Sequence, residues 1–212
     1  MPQPVVVVLA AGSGSRFAGP APGLGHKLAQ PFAATTVLGS TVAAVRQSGL
    51  PFVVVTIPPL LGVASVEADE RDIVMLASED GSEARSARGM GHSIAAGVSA
   101  RPHAPGWLVL PGDMPLVRPA SLRAVAAALG EHRIAYAQHG GRRGHPVGFR
   151  AELFAELAAL HGDEGARRLI DRHAACGVEV ADRGVLFDLD TVDDLAVLRA
   201  LHARGRDVHE GS

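Results

Sequence analysis

Apolar residues run unbroken from Val5 to Leu9 instead of alternating with polar ones, the mark of a strand buried on both faces. The same texture returns at residues 52–57, 73–76, 107–110 and 134–137, with a late pair at 178–180 and 185–189. Between these runs, apolar residues recur at helical spacing over 37–47, 93–100, 121–129, 151–160, 166–175 and 192–203. Strands alternating with helices predict βαβ crossovers. The expected fold is therefore α/β: a three-layer, doubly wound sandwich with a mainly parallel sheet covered on both faces. Ligands of such sheets bind beyond the carboxyl ends of the strands, so the residues after each strand carry the functional information. The chain has no internal repeat, and residues 1–212 read as one domain. A Gly/Pro-rich stretch at 18–26 reads as a flexible insertion and 204–212 as a polar, frayed tail.

Composition narrows the classes. With 212 residues, 47% of them hydrophobic and 20% charged, the chain can bury one well-developed core. A net charge of −2 with scattered Lys and Arg lacks the footprint of a duplex-binding protein, so no nucleic-acid partner is expected. Cys176 is the only cysteine, which excludes an internal disulfide and a thiolate metal cage; it falls in a helical pattern and reads as a small core residue. No apolar run approaches the roughly 20 residues of a membrane span. The opening residues lack a positive n-region, so a cytoplasmic protein with no membrane partner is expected.

The first strand leads into Ala10-Ala11-Gly12-Ser13-Gly14-Ser15-Arg16-Phe17. A glycine turn there frees backbone N–H groups for a phosphate or a nucleobase edge, and Arg16 adds the charge a polyphosphate needs. An ordinary turn that binds nothing has the same glycines. Phe17 stands where the dinucleotide fingerprint requires glycine, and the Walker pattern is absent. Lys27 reads either as a solvated lysine or, with Arg16, as a clamp on a triphosphate. Asp113, in Pro111-Gly112-Asp113-Met114-Pro115, is either a turn aspartate or a Mg²⁺ carboxylate at a strand end. Alternation puts Asp188 and Asp190 on one face. Asp190 suits a metal role beside Asp113, Thr191 or Asp190 suits a helix cap, and Asp193 and Asp194 suit the first helical turn. Gly89-Met90-Gly91-His92-Ser93 opens a helix with Ser93 as cap, or as a group facing a base or phosphate. Gly144-His145-Pro146-Val147 follows Arg142-Arg143. Further on, Asp163 reads as an N-cap, while Arg167 and Arg168 early in a helix point to a nearby anion or to solvent.

Taken in order, these motifs resemble the nucleotidyltransferase family that contains molybdenum cofactor cytidylyltransferase and molybdopterin-guanine dinucleotide synthase. The resemblance spans Val5 to Leu195. It implies a glycosyltransferase-A-like nucleotide-diphospho-sugar transferase fold. It also implies an enzyme in which a terminal phosphate oxygen of a molybdopterin acceptor attacks the α-phosphorus of a nucleoside triphosphate and pyrophosphate leaves. By the same resemblance, Mg²⁺ sits on Asp113 and Asp190, while Arg16 and Lys27 hold the β- and γ-phosphates. The backbone of Leu9, Ala10, Ala11, Gly12 and Gly14 faces the nucleotide, with Gly81, Ser82 and Ser93 completing its pocket. The acceptor lies nearer Ser93 and His145.

Leu-Ala-Ala-Gly at 9–12, Gly-His-Pro at 144–146 and Gly-Asp-x-Gly-Ala at 162–166 resemble the cytidylyl branch, so CTP is favoured over GTP. Insertion 18–26 is longer than the family's usual gap between the arginine and the lysine, and a lid that orders on nucleotide is one reading of it. Other readings are a guanylyltransferase, a transferase acting on a sugar or polyol phosphate, and a non-catalytic cofactor carrier. A molybdoenzyme or its maturation factor is the implied protein partner.

Overall fold

The computed structural model describes residues 2–12, 14, 17, 25–76, 89–162 and 165–207. Its centre is a seven-stranded sheet of β1 (Val5–Ala10), β4 (Phe52–Thr56), β5 (Ile73–Met75), β6 (Gly106–Pro111), β7 (Ile134–His139), β8 (Arg142–Arg150) and β9 (Ala175–Glu179). Strands β2 (Pro31–Phe32) and β3 (Thr35–Thr36) form a separate ribbon. The helices are α1 (Val37–Ser48), α2 (Leu61–Ala64), α3 (Met90–Ser99), α4 (Pro119–Ala128), α5 (Phe154–Ala158), α6 (Arg167–Arg172) and α7 (Val192–Asp207). Spatial order across the sheet is β5-β4-β1-β6-β8-β7-β9. Strand β8 runs antiparallel to β6 and β7, and the other pairings are parallel.

β1 lies in the middle and feeds both layers. Val6, Val8 and Ala10 pack into the core beneath α1, α4 and α7, whereas Val5 and Val7 pack beneath α3, α5 and α6. Burial on both faces explains why its apolar run does not alternate. Among the described residues, no helix is long and apolar enough to cross a membrane.

Strand β8 was not among the strands expected from the sequence. A two-residue connection, Gly140–Gly141, joins it to β7, with φ of 56° and 72°, the backbone hand that a type I′ hairpin requires. Glu179 of β9 accepts hydrogen bonds from both glycine N–H groups, and the Gly140 contact is the main reason its carboxyl titrates below the usual range. Gly144, Pro146 and Gly148 look like strand breakers, yet each fits here. Register slips between Tyr136 and Gln138, so 144–146 form a bulge in which proline is tolerated. At Gly144 a Cβ would lie 2.1 Å from the carbonyl oxygen of Val185, a backbone contact that cannot rotate away. Gly144→Ala is therefore expected to destabilise the fold by about 2 kcal/mol, read from a denaturant midpoint.

Smaller corrections share one cause, that tertiary pairing sets element ends. Residues 175–179 pair with β7, which shortens the expected 166–175 helix to Arg167–Arg172 and puts Cys176 on a strand. Residues 185–189 form no strand: a 3-10 turn, Arg183–Leu186, is followed by extended chain, because Asp182 anchors it to the start of α4. That buried carboxylate accepts from Arg118 N–H at 2.9 Å, Ser121 Oγ at 2.6 Å and Gly184 N–H at 2.9 Å. The expected helix at 151–160 is a 3-10 turn, Ala151–Leu153, followed by α5. Helix α7 continues through Asp207, past the expected start of the tail at 204.

Candidate active site

Three charged side chains meet beyond the carboxyl end of β6. The turn that carries Asp113 is pinned on three sides. Gly112 N–H donates to Leu9 O at 2.9 Å, Thr41 Oγ1 donates to Gly112 O at 3.0 Å, and Leu189 N–H donates to Asp113 O at 3.1 Å. Lys27 opens a 3-10 turn, Lys27–Ala29, and reaches back across the sheet edge. Its Nζ donates to Asp113 Oδ2 at 2.5 Å, to Leu189 O at 2.7 Å and to Asp190 Oδ1 at 3.3 Å. Lys27 and Asp113 are 15% and 13% exposed in their side chains, against 37% for Asp190. An ammonium surrounded by three oxygens occupies the place a cation would take.

Among the described residues, Asp113 Oδ1 is buried without a partner. Burial pushes the Asp113 carboxyl above the usual carboxylate range; Lys27 opposes that shift and the charge of Asp188 adds to it. Among the described residues, no group of three or more His, Cys, Asp and Glu forms a self-sufficient metal cage. Two carboxylates and a carbonyl, one oxygen of them still free, instead fit a cation that takes its remaining ligands from phosphates.

Asp190 is placed by its helix. Thr191 Oγ1 accepts from Asp194 N–H at 3.2 Å while Asp194 Oδ2 accepts from Thr191 N–H at 2.7 Å and Asp190 N–H at 3.2 Å, a capping box at the start of α7. The Thr191 hydroxyl contact is the main cause of a lowered Asp194 pKa. A lowered carboxyl pKa contributes stability above its unfolded value, and that contribution fades as pH falls through the folded one. Thr191→Ala is expected to cost about 1 kcal/mol at neutral pH and less in acid, checked by denaturation at several pH values.

The end of β1 forms the other wall. Leu9 and Ala10 belong to the strand, Ala11 is half-buried and Gly12 is exposed. His26 braces the turn. Its Nδ1 accepts from Leu28 N–H at 3.2 Å, so Nε2 carries the hydrogen and donates to Gly12 O at 2.8 Å. Gly14 has φ +62°, and the His26 ring lies 3.2 Å from where a Gly14 Cβ would be. Gly12 itself meets nothing within 4 Å at its Cβ position, among the described residues. Gly12→Ala is thus expected to leave the thermal midpoint unchanged while raising the KM for nucleotide several-fold. Arg16, Gly81 and Ser82 lie outside the described residues, as does Asp163.

Beside the carboxylates opens a cleft of about 380 Å³, lined by Met90, Ile94, Arg143, His145, Arg167 and Ile170 among others. The β8 bulge creates it: pairing with β6 stops at Val109 and Val147, and His145 sits just beyond. Burial lowers the His145 pKa, with the nearby Asp188 charge opposing, so the ring is neutral near pH 7. Ser93 is not the cap of α3. Gly89 occupies the N-cap position, and Ser93 is buried in the first helical turn. Gly91 lets α3 pack closely on the backbone of His161, because a Cβ there would lie 2.8 Å from His161 O.

Lys27, Asp113 and Asp190 are therefore brought together, Leu9 to Gly12 adjoin them through the Leu9–Gly112 bond, and His145 stands across Asp188. Sequence reasoning passed over His26 and the Leu189 carbonyl. It placed Asp188 on one face with Asp190 but gave it no role, and buried Leu189 between the two is consistent with that shared face.

A family model described as the MobA-like NTP transferase domain matches residues 6–176. The chain belongs to that family. Its MobA-like domain is a nucleotidyltransferase domain with the mainly parallel sheet expected of one. Among curated proteins it is 32% identical over 117 residues to the purine catabolism protein PucB of Bacillus subtilis, covering 53% of this chain. The chain spans 57% of that relative's length. Among solved structures, Rv0371c from Mycobacterium tuberculosis superposes with a TM-score of 0.77 at 31% identity, covering 94% of this chain and 98% of that one. A manganese complex of Rv0371c superposes with a TM-score of 0.72 at 29% identity, covering 93% and 98%.

Proposed function

We propose that the protein is a divalent-cation-dependent nucleotidyltransferase that joins the nucleoside monophosphate of CTP to the terminal phosphate of a molybdopterin-type acceptor. The observation that carries this reading is the Lys27–Asp113–Asp190 cluster, with one buried carboxylate oxygen left free. A manganese complex of the similar Rv0371c supports a divalent ion in this fold, and Mg²⁺ is the ion we favour. The cleft beside the cluster has the size and lining of a small-molecule site. Leu-Ala-Ala-Gly at 9–12 supports CTP over GTP by resemblance to the cytidylyl branch.

In this reading an oxygen of the acceptor phosphate bonds to the α-phosphorus as the bond to the β-phosphate oxygen breaks. Pyrophosphate departs with the electron pair, and no protein nucleophile is needed. Asp113 and Asp190 would hold the cation, which supplies charge neutralisation at the phosphates. Lys27 supplies a further positive charge at the same place, and Arg16 is assigned to the β- and γ-phosphates. Backbone amides of Leu9 to Gly12 and Gly14 face the nucleotide, with Gly81, Ser82 and Ser93 around it. His145, neutral and fixed in the bulge, donates or accepts a hydrogen bond to the acceptor without adding charge. Positioning and electrostatics do the catalysis.

A thermal-shift series tests the nucleotide. CTP with Mg²⁺ is expected to raise the midpoint more than GTP, ATP or UTP, and EDTA is expected to abolish the rise. A GTP-specific shift overturns the base assignment, and a shift indifferent to EDTA overturns the cation site.

A further inference from the structure

The cleft beside the carboxylates is charged asymmetrically. At its inner end, His145 feels the charge of Asp188, which also reaches Asp113. The exposed Arg143 and Arg167 also line the cleft, together with the apolar Met90, Ile94 and Ile170. Several surface arginines are held by carboxylates. Arg46 pairs with Glu67, Arg101 with Asp72, Arg133 with Glu152 and Arg172 with Glu156. Among the described residues, no carboxylate pairs with Arg143 or Arg167. Arg143 is also held in place: its guanidinium carbon stands 4.2 Å from the centre of the Tyr136 ring. Stacking uses the face of the guanidinium and leaves its edge N–H groups free for an oxyanion.

We propose that Arg143 and Arg167 form an anion clamp in the cleft, so that the acceptor is bound by two separate anionic groups. One is the reacting phosphate near His145, and the other is an oxyanion at the arginines. This rests on the acceptor assignment above. Arg143 and His145 flank Gly144 at the start of the β8 bulge and line the same cleft, so one molecule can reach both. The apolar lining of Met90, Ile94 and Ile170 suits a flat, weakly polar ring. The clamp thus selects a molecule with a phosphate at one end, an apolar middle and a second negative group. A sugar phosphate, with one anionic group and a polyhydroxylated body, meets neither of the last two conditions. Tyr136 is a positioning residue that acts through Arg143.

Two synthetic probes of matched shape test the clamp on the intact protein: phenyl phosphate and 4-carboxyphenyl phosphate, titrated by NMR with Mg²⁺ present. The para carboxylate supplies the second oxyanion at the far end of an apolar ring. Wild type is expected to bind the carboxylated probe about ten-fold more tightly, the gain of a charge-assisted contact. That ratio is expected to fall close to one in Arg143→Gln and in Arg167→Gln, and to fall part-way in Tyr136→Leu. Both arginines are exposed, so the glutamine variants keep the fold. A ratio of one in wild type, or a ratio unchanged in both glutamine variants, overturns the clamp. Pyrophosphate release from CTP, measured separately, reads the transfer reaction. Its absence with an intact probe ratio rejects that reaction and leaves the clamp standing.

Discussion

Asp113→Asn is expected to lower nucleotidyl transfer by about 10³-fold while leaving the fold intact. Asparagine keeps the shape and one carbonyl oxygen but removes the charge that balances Lys27 and, in the proposed reaction, a divalent ion. The fold tolerates the change because the three hydrogen bonds that pin the turn are made by other groups: Gly112 N–H, Gly112 O and Asp113 O are all backbone. Lys27 also keeps its bond to Leu189 O at 2.7 Å. Removing a buried charge with one unpartnered oxygen offsets part of what the lost ion pair contributed. A kcat/KM measurement beside a thermal midpoint separates these effects. Transfer within ten-fold of wild type would remove Asp113 from the chemistry.

Lys27→Met tests the other half of the cluster. Methionine fills a similar volume without the ammonium, so Asp113 and Asp190 are left facing each other with Asp188 nearby. Breaking a largely buried pair strands a charge, and the metal-free variant is expected to lose about 3 kcal/mol. A divalent cation is then expected to recover most of that loss, because the same oxygens accept it. Wild type should gain less from the ion, since its lysine already stands there. The readout is the midpoint shift between EDTA and saturating Mg²⁺ in the two proteins. Equal shifts would mean that the ammonium and the divalent ion do not share these oxygens. Transfer should fall in parallel by about 10²-fold, for want of a positive charge at the phosphates.

How much was legible follows from where the information is stored. Val5 to Leu9 announced a central strand because burial on two faces leaves no polar positions, and the order of motifs announced the family. Asp113 was legible as a strand-end acid and Asp190 as an acid just before a helix, although the strand expected ahead of Asp190 does not form. Their meeting with Lys27, 86 and 163 residues away in sequence, is a product of folding back across the sheet. The β8 bulge was hidden because Gly144, Pro146 and Gly148 carry turn propensity. Close packing against Val185, Leu129 and Val125 overrides it. The Gly140–Gly141 pair between Gln138-His139 and Arg142-Arg143 was a readable hairpin signal. Leu189 enters the site through its carbonyl oxygen, a group every residue has, so no side-chain pattern points to it. His26 sat in a Gly/Pro-rich stretch that read as flexible, and its role depends on a hydrogen bond to Gly12 that only the folded turn creates.

The central claim is that this cluster transfers a nucleotidyl group from a triphosphate to a phosphorylated acceptor. The most direct measurement is pyrophosphate release from CTP, GTP, ATP and UTP in turn, with Mg²⁺ and a molybdopterin-type acceptor, alongside Asp113→Asn as control. The expected result is release from CTP that requires both acceptor and Mg²⁺, with label from the α-phosphate appearing on the acceptor. Release from none of the four, or release equal in the Asp113→Asn variant, would contradict it.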